Sequence, residues 1–226
     1  MVSGSRGPGA CAWGASPVST PGDYEKIWEV KPLDGSEAIR NQGKPTGDTV
    51  RDLWRWSFSD LVSNATRGVV AEFIVAKALG CDMKIPRDEW QAYDLLTPEG
   101  ARIQVKSAGY LQSWVQREYS SIVYSIKPTR AWNRESNRQE KASGRHADVY
   151  VFALLAHREK ATLDPLELDQ WRFHVLATAT LASRTRSQHS ITLKSLEKLS
   201  DEVRFEGLKD AVANCSGPSM IRRSHS

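Results

Sequence analysis

The sequence predicts an α/β domain built on a central mixed β-sheet flanked by helices, and three stretches carry that expectation. Residues 147–156 (Ala-Asp-Val-Tyr-Val-Phe-Ala-Leu-Leu-Ala) are β-branched and aromatic with no wet face, the pattern of a strand buried on both sides. Residues 93–107 read as a hairpin: a short β-prone run to Leu96, a turn at Thr97-Pro98-Glu99-Gly100, then alternating polarity from Ala101. Residues 58–79 repeat apolar side chains at helical spacing and stop at Gly80, which suits a left-handed C-terminal cap.

Taken in order, the chain opens on residues 1–22, rich in Gly, Ser, Pro and Ala, which bury too little apolar surface to order themselves and read as a disordered arm. Residues 23–215 read as one domain. Within it, 23–50 mixes Trp28, Val30 and Leu33 with Pro and Gly and reads as loop with one short element at most. Asp48 or Thr49 suits the cap of a helix from Val50, and the main helix restarts near Ser57 or Ser59. In that helix Phe58, Val62, Ala65, Val69, Phe73 and Ala76 form the expected core stripe, with Glu72 at its edge. Residues 81–85 read as a short strand stopped by Pro86, 171–177 as a second confident strand, and 193–199 and 205–213 as helices. The tail, 216–226, reads as disordered.

Composition bounds the function. A chain of 226 residues, 40% hydrophobic, buries a core without staples. The net charge of +4 rests on 31 basic against 27 acidic residues, an excess that admits a polyanionic partner without requiring one. Three scattered cysteines, Cys11, Cys81 and Cys215, indicate neither a disulfide framework nor a zinc knuckle and suit a reducing cytoplasm. Apolar runs fall short of membrane-spanning length. Phosphate-binding P-loop, dinucleotide and Gly-x-Ser-x-Gly signatures are missing, which disfavours nucleotide-driven and acyl-transfer chemistry.

The hairpin carries the chemistry. Gln104 and Lys106, two residues apart, share one strand face while Ile103 and Val105 share the other, and Asp94 stands across the turn. A carboxylate at Glu72, beside a core stripe, needs a partner: a cation, a metal, an Arg or Lys, or a proton. An amphipathic hairpin with polar residues on its wet face is commonplace; Glu72 is what tips the reading toward a site. Glu72 on a helix, then Asp94, nine intervening residues and Gln104-Val105-Lys106 on a strand resembles the PD-(D/E)XK nuclease superfamily in its Q-x-K variant. The resemblance covers roughly residues 54–156; Tyr93 stands where the superfamily usually has proline and Gln104 where it usually has a carboxylate.

The resemblance implies a restriction-endonuclease-like three-layer core and a Mg²⁺-dependent endonuclease acting on DNA, with Mn²⁺ as a substitute metal, in restriction or defence against foreign DNA. It implies Asp94 as the central metal ligand, Glu72 and the Gln104 carbonyl oxygen as further ligands, and Lys106 as the group that handles the attacking water or the transition-state charge. A double-strand cut takes two such sites, which implies a homodimer. The alternative is a nucleic-acid-binding module of the same fold whose site has decayed, favoured by Gln104. Seven Lys or Arg lie between Tyr110 and His146, interleaved with Trp114, Tyr119, Tyr124 and Trp132. Basic residues among aromatics suit phosphates and base faces, and Arg117, Lys127, Arg130 and Arg134 are the expected nucleic-acid contacts; a solvated loop with docked aromatics explains the composition equally well. His146 and Asp148 read as a structural pair.

Overall fold

The computed structural model describes residues 26–217. The predicted arm, 1–22, and the tail from 218 lie outside the described residues. The chain forms two compact units, Met1–Val30 and Lys31–Ser226; of the first, residues 26–30 are described and carry no helix or strand.

In the second unit the elements are β1 (Ala38–Asn41), β2 (Lys44–Thr49), α1 (Val50–Phe58), α2 (Asn64–Leu79), β3 (Leu95–Leu96), β4 (Arg102–Gly109), β5 (Val123–Ser125), β6 (Trp132–Asn133) and β7 (Arg138–Gln139). They continue with β8 (Val149–Leu155), β9 (Trp171–Ala177), α3 (Thr178–Ala182), β10 (Ser190–Thr192), α4 (Leu193–Leu196) and α5 (Leu208–Ser216). The central sheet runs β3-β4-β8-β9. It is mixed: β4 and β8 are parallel, with Ile103 opposite Val149 and Lys106 opposite Phe152, and the two outer pairings are antiparallel.

All seven residues of β8 are buried because the strand serves two cores. Val149, Val151, Ala153 and Leu155 meet α2 and α5 through Ala71, Ile74, Val75, Leu208 and Val212. Tyr150, Phe152 and Leu154 face Tyr124 of β5 and Ile126 just after it, Ile191 of β10, Leu181 of α3 and Leu196 of α4. Helices therefore cover one face, and a two-stranded ribbon with two short helices covers the other. Each large apolar side chain buried this way contributes about 1.5–3 kcal/mol.

The ends of α2 follow from its sequence. The Ser63 side chain accepts from the Thr66 N–H at the N-terminus, and Gly80, at φ 70°, closes the C-terminus by donating to the carbonyls of Ala76 and Lys77. The helix thus starts later than 57–59. Its buried face is Arg67, Ala71, Ile74, Val75, Ala76 and Leu79, whereas Val69, Phe73 and Phe58 of the expected stripe are exposed. This helix is apolar nearly all round, so periodicity does not single out one face, and the buried charge of Arg67 disguises the true one.

Three further expectations are corrected. Residues 81–85 form turns, since the Asp82 side chain accepts the Lys84 N–H and draws the backbone out of an extended path. Residues 38–49 form a hairpin, invisible to a period-2 test because β2 (Lys-Pro-Thr-Gly-Asp-Thr) is almost wholly exposed; its turn puts Gln42 and Gly43 at φ 49° and 79°. The 193–199 helix shrinks to Leu193–Leu196. The 171–177 strand is present as β9, and the expected 205–213 helix is a 3-10 turn, Phe205–Gly207, running into α5.

Candidate active site

Asp94 sits just ahead of β3, where the outermost strand of the sheet is only two residues long. Its N–H donates to the Ile103 carbonyl at 2.9 Å, which pins it beside β4. Past the Leu95–Ile103 pair no strand among the described residues covers this edge of β4, and the Val105 N–H facing that gap is taken by the Asp94 carboxylate at 2.7 Å. The Gln104 side-chain amide donates to the same carboxylate oxygen. An ionised carboxylate only accepts, so the Gln104 nitrogen, and not its carbonyl oxygen, is turned to Asp94.

Glu72 comes from α2, on the face of the sheet where Ile103 and Val105 pack. Its side chain is only 13% exposed and is paired with Arg87, which donates from Nε and from Nη2 at 3.3 Å. Of the partners that the sequence leaves open for Glu72, the fold supplies an arginine, Arg87. Lys106 shares with Gln104 the other face of β4, half-buried, opposite Phe152, and makes no hydrogen bond or ion pair among the described residues. Asp94, at the sheet's edge, joins the two sides. Burial pushes its carboxyl above the usual carboxylate range and the Glu72 charge pushes it further, against the Val105 N–H, Lys106 and Arg87, which pull it down.

Glu72, Arg87 and Asp94 line one cavity of about 310 Å³ with Phe73, Ile85 and Asp88. Among the described residues no group of three or more His, Cys, Asp or Glu gathers to hold a metal ion. Two carboxylates in electrostatic contact are nonetheless a donor set that fits Mg²⁺, which takes one or two carboxylates and fills its remaining positions with water and phosphate oxygens.

The basic segment is divided. Arg117, Lys127 and Arg130 are exposed and make no hydrogen bond or ion pair among the described residues. Arg134 pairs with Asp88, and Trp132 of β6 meets Trp90, ring centroids 6.2 Å apart. The β6–β7 hairpin thus leans on the loop that lines the cavity. His146 and Asp148 part company: His146 meets the Thr129 carbonyl and Asp148 pairs with Arg102.

The model of the bacteriophage T4 endonuclease IV family matches residues 28–195, well over half of the 226 residues. The chain belongs to the bacteriophage T4 endonuclease IV family. No curated protein matches it. The match is to a nuclease family, and it spans Glu72, Asp94, Gln104 and Lys106 together with Arg87 and the basic segment. Arg87 was not foreseen as a site residue, and the signal that points to it is the unpaired acid of Glu72 fifteen residues earlier. No helix among the described residues is long and apolar enough to cross a membrane.

Proposed function

We propose that the protein is a metal-dependent endonuclease hydrolysing DNA phosphodiester bonds, on a restriction-endonuclease-like core, with Asp94 at its centre. The observation that carries this reading is Asp94 itself: a half-buried carboxyl, raised by burial and by Glu72, and set at an open strand edge beside Lys106. Nothing in the packing of the sheet requires a second carboxylate next to it. The family match supports the reaction class, and the order of helix, short strand, Gln-x-Lys strand and buried strand supports the finer fold assignment.

Asp94 and Glu72 would hold Mg²⁺ or Mn²⁺, which when bound neutralises the scissile phosphate and acidifies a water. The Val105 N–H fixes one Asp94 oxygen, so the carboxylate reaches the substrate already oriented. Lys106, which has no hydrogen-bond or ion-pair partner among the described residues, orients the attacking water and stabilises the negative charge that grows on the phosphorus oxygens. The water oxygen bonds to phosphorus and gives up one proton to solvent, the phosphorus–oxygen bond to the leaving sugar breaks, and the leaving oxygen takes up one proton from solvent. The exposed Arg117, Lys127 and Arg130 hold flanking phosphates. A cut through both strands needs two copies, and a homodimer is part of the proposal.

The testing experiment is incubation of purified protein with DNA and Mg²⁺, Mn²⁺ or a chelator, with the Asp94→Ala variant alongside. Cleavage that needs a divalent ion and Asp94 is expected. A second reading, a binding module with a decayed site, draws on the fact that both carboxylates proposed to hold the metal are already engaged: Glu72 with Arg87, and Asp94 with the Val105 N–H and the Gln104 amide. DNA binding without cleavage under every metal condition selects it.

A further inference from the structure

Arg87 is carried by a segment without helix or strand, yet its guanidinium is deeply committed. Two of its nitrogens serve Glu72, a third donates to Glu89 at 3.0 Å, and its charge reaches Asp94. The neighbouring residues tie the same segment to the basic hairpin, through Asp88 with Arg134 and Trp90 with Trp132.

The fork that grips a carboxylate with two parallel N–H groups fits a phosphate equally well. The Glu72 oxygens, meanwhile, cannot serve a guanidinium and a divalent cation at full strength together. We propose that Arg87 competes with a divalent cation for Glu72 and, once it loses that carboxylate, binds a phosphate of the nucleic-acid substrate. Arg87 is then a substrate-binding residue that waits on a carboxylate. Its exchange is eased by the loop it stands on, whose hold on the hairpin among the described residues is one half-exposed ion pair and one ring contact. The inference rests on the metal-dependent reading above and adds to it the residue that changes partner.

The test is calorimetric titration of Mn²⁺ alone into wild type, Arg87→Ala, Arg87→Lys and Asp94→Ala. It is joined by the salt dependence of duplex DNA binding for the first three with Mn²⁺ replaced by Ca²⁺. Arg87→Ala is expected to bind Mn²⁺ roughly three- to tenfold tighter, having lost the competitor, and to show a log–log salt slope shallower by about 0.9, one phosphate's worth. Arg87→Lys keeps the charge but not the fork, so its slope should stay near wild type while its DNA affinity falls. A merely structural Arg87–Glu72 pair predicts lower melting temperature and unchanged or weaker Mn²⁺ binding in both variants, and that result overturns the inference while leaving the nuclease reading intact. If wild type itself shows no Mn²⁺ binding that Asp94→Ala abolishes, the metal-dependent reading fails and the exchange fails with it.

Discussion

The Asp94 carboxylate accepts the main-chain N–H of Val105 at 2.7 Å, and so completes the edge of β4 that the two-residue β3 leaves uncovered. The same side chain is thus a structural cap and the proposed reaction centre. These two demands conflict, because the cap works with any acceptor while the chemistry needs a charge.

That conflict gives a pH-dependent prediction. Asp94 is raised in the fold, so the native protein holds this proton more tightly than the unfolded chain does, and stability falls as pH climbs from the ordinary aspartate range through the native value. Asp94→Asn keeps an acceptor for Val105 and removes the charge. It should melt a few degrees higher than wild type at neutral pH, with the gain vanishing below the ordinary aspartate pKa of about 3.9, and should not cleave DNA. Melting curves across pH check it; a gain that persists in acid is the contrary result.

Gln104→Glu replaces the amide that donates to Asp94 with a second acid. Without divalent ions the two carboxylates repel, and the variant should lose about 1–3 kcal/mol. With Mn²⁺ it should recover more stability than wild type does, since the added charge strengthens the site. Thermal melts with and without Mn²⁺ measure the difference, and equal recovery in both proteins places Gln104 outside the metal's reach.

Lys127 and Arg130 are exposed and spend no charge on a protein partner among the described residues, whereas Arg134 is spent on Asp88. Replacing Lys127 and Arg130 together by Ala should flatten the salt slope of duplex binding by about 1.8 and weaken all sequences alike. An unchanged slope removes this limb from the interface.

Arg67 is 4% exposed and donates to Asn64, Ser107, Gln112 and the Val62 carbonyl. These acceptors are all neutral, and burial lowers its pKa from the ordinary arginine value. Arg67→Ala should cost about 3–5 kcal/mol by orphaning them, and Arg67→Lys should rescue little, because one ammonium does not span the four positions. Denaturant titration reads both; a loss below about 1 kcal/mol for Arg67→Ala contradicts the role.

Much of the sheet was legible because its strands are extreme. The seven residues of β8 lack a polar face, and the turn at Thr97-Pro98-Glu99-Gly100 forms as expected, with the Gly100 N–H on the Thr97 carbonyl at 2.9 Å. The hairpin of β1 and β2 was not legible, since an exposed ribbon has no reason to alternate. Of the candidate site, the spacing along one strand was legible but the arrangement across elements was not. Spacing along β4 puts Gln104 and Lys106 together, yet it does not reveal that Glu72 approaches from the opposite face, nor that Arg87 holds it. Contacts between segments far apart in sequence are decided by packing, and local pattern does not encode them.

The parallel pairing of β4 and β8 is fixed by seven residue pairs, from Ile103 with Val149 to Gly109 with Leu155. Between Ile126, which still belongs to the second core, and Arg145, which returns to donate to the Ile126 carbonyl, the chain makes an excursion closed at its base by the Thr129–Gly144 bridge and paired further out as β6 with β7. Doubling the length of such an excursion costs only about 0.6 kcal/mol in closure entropy. The limb is therefore expected to behave as a cassette: residues 127–144 can be lengthened or exchanged for another basic hairpin that keeps Arg134 on Asp88 and Trp132 on Trp90, while the register that seats Asp94 against Val105 stays put. On the proposed reading, changing the DNA contacts and changing the chemistry become separate engineering problems in this chain.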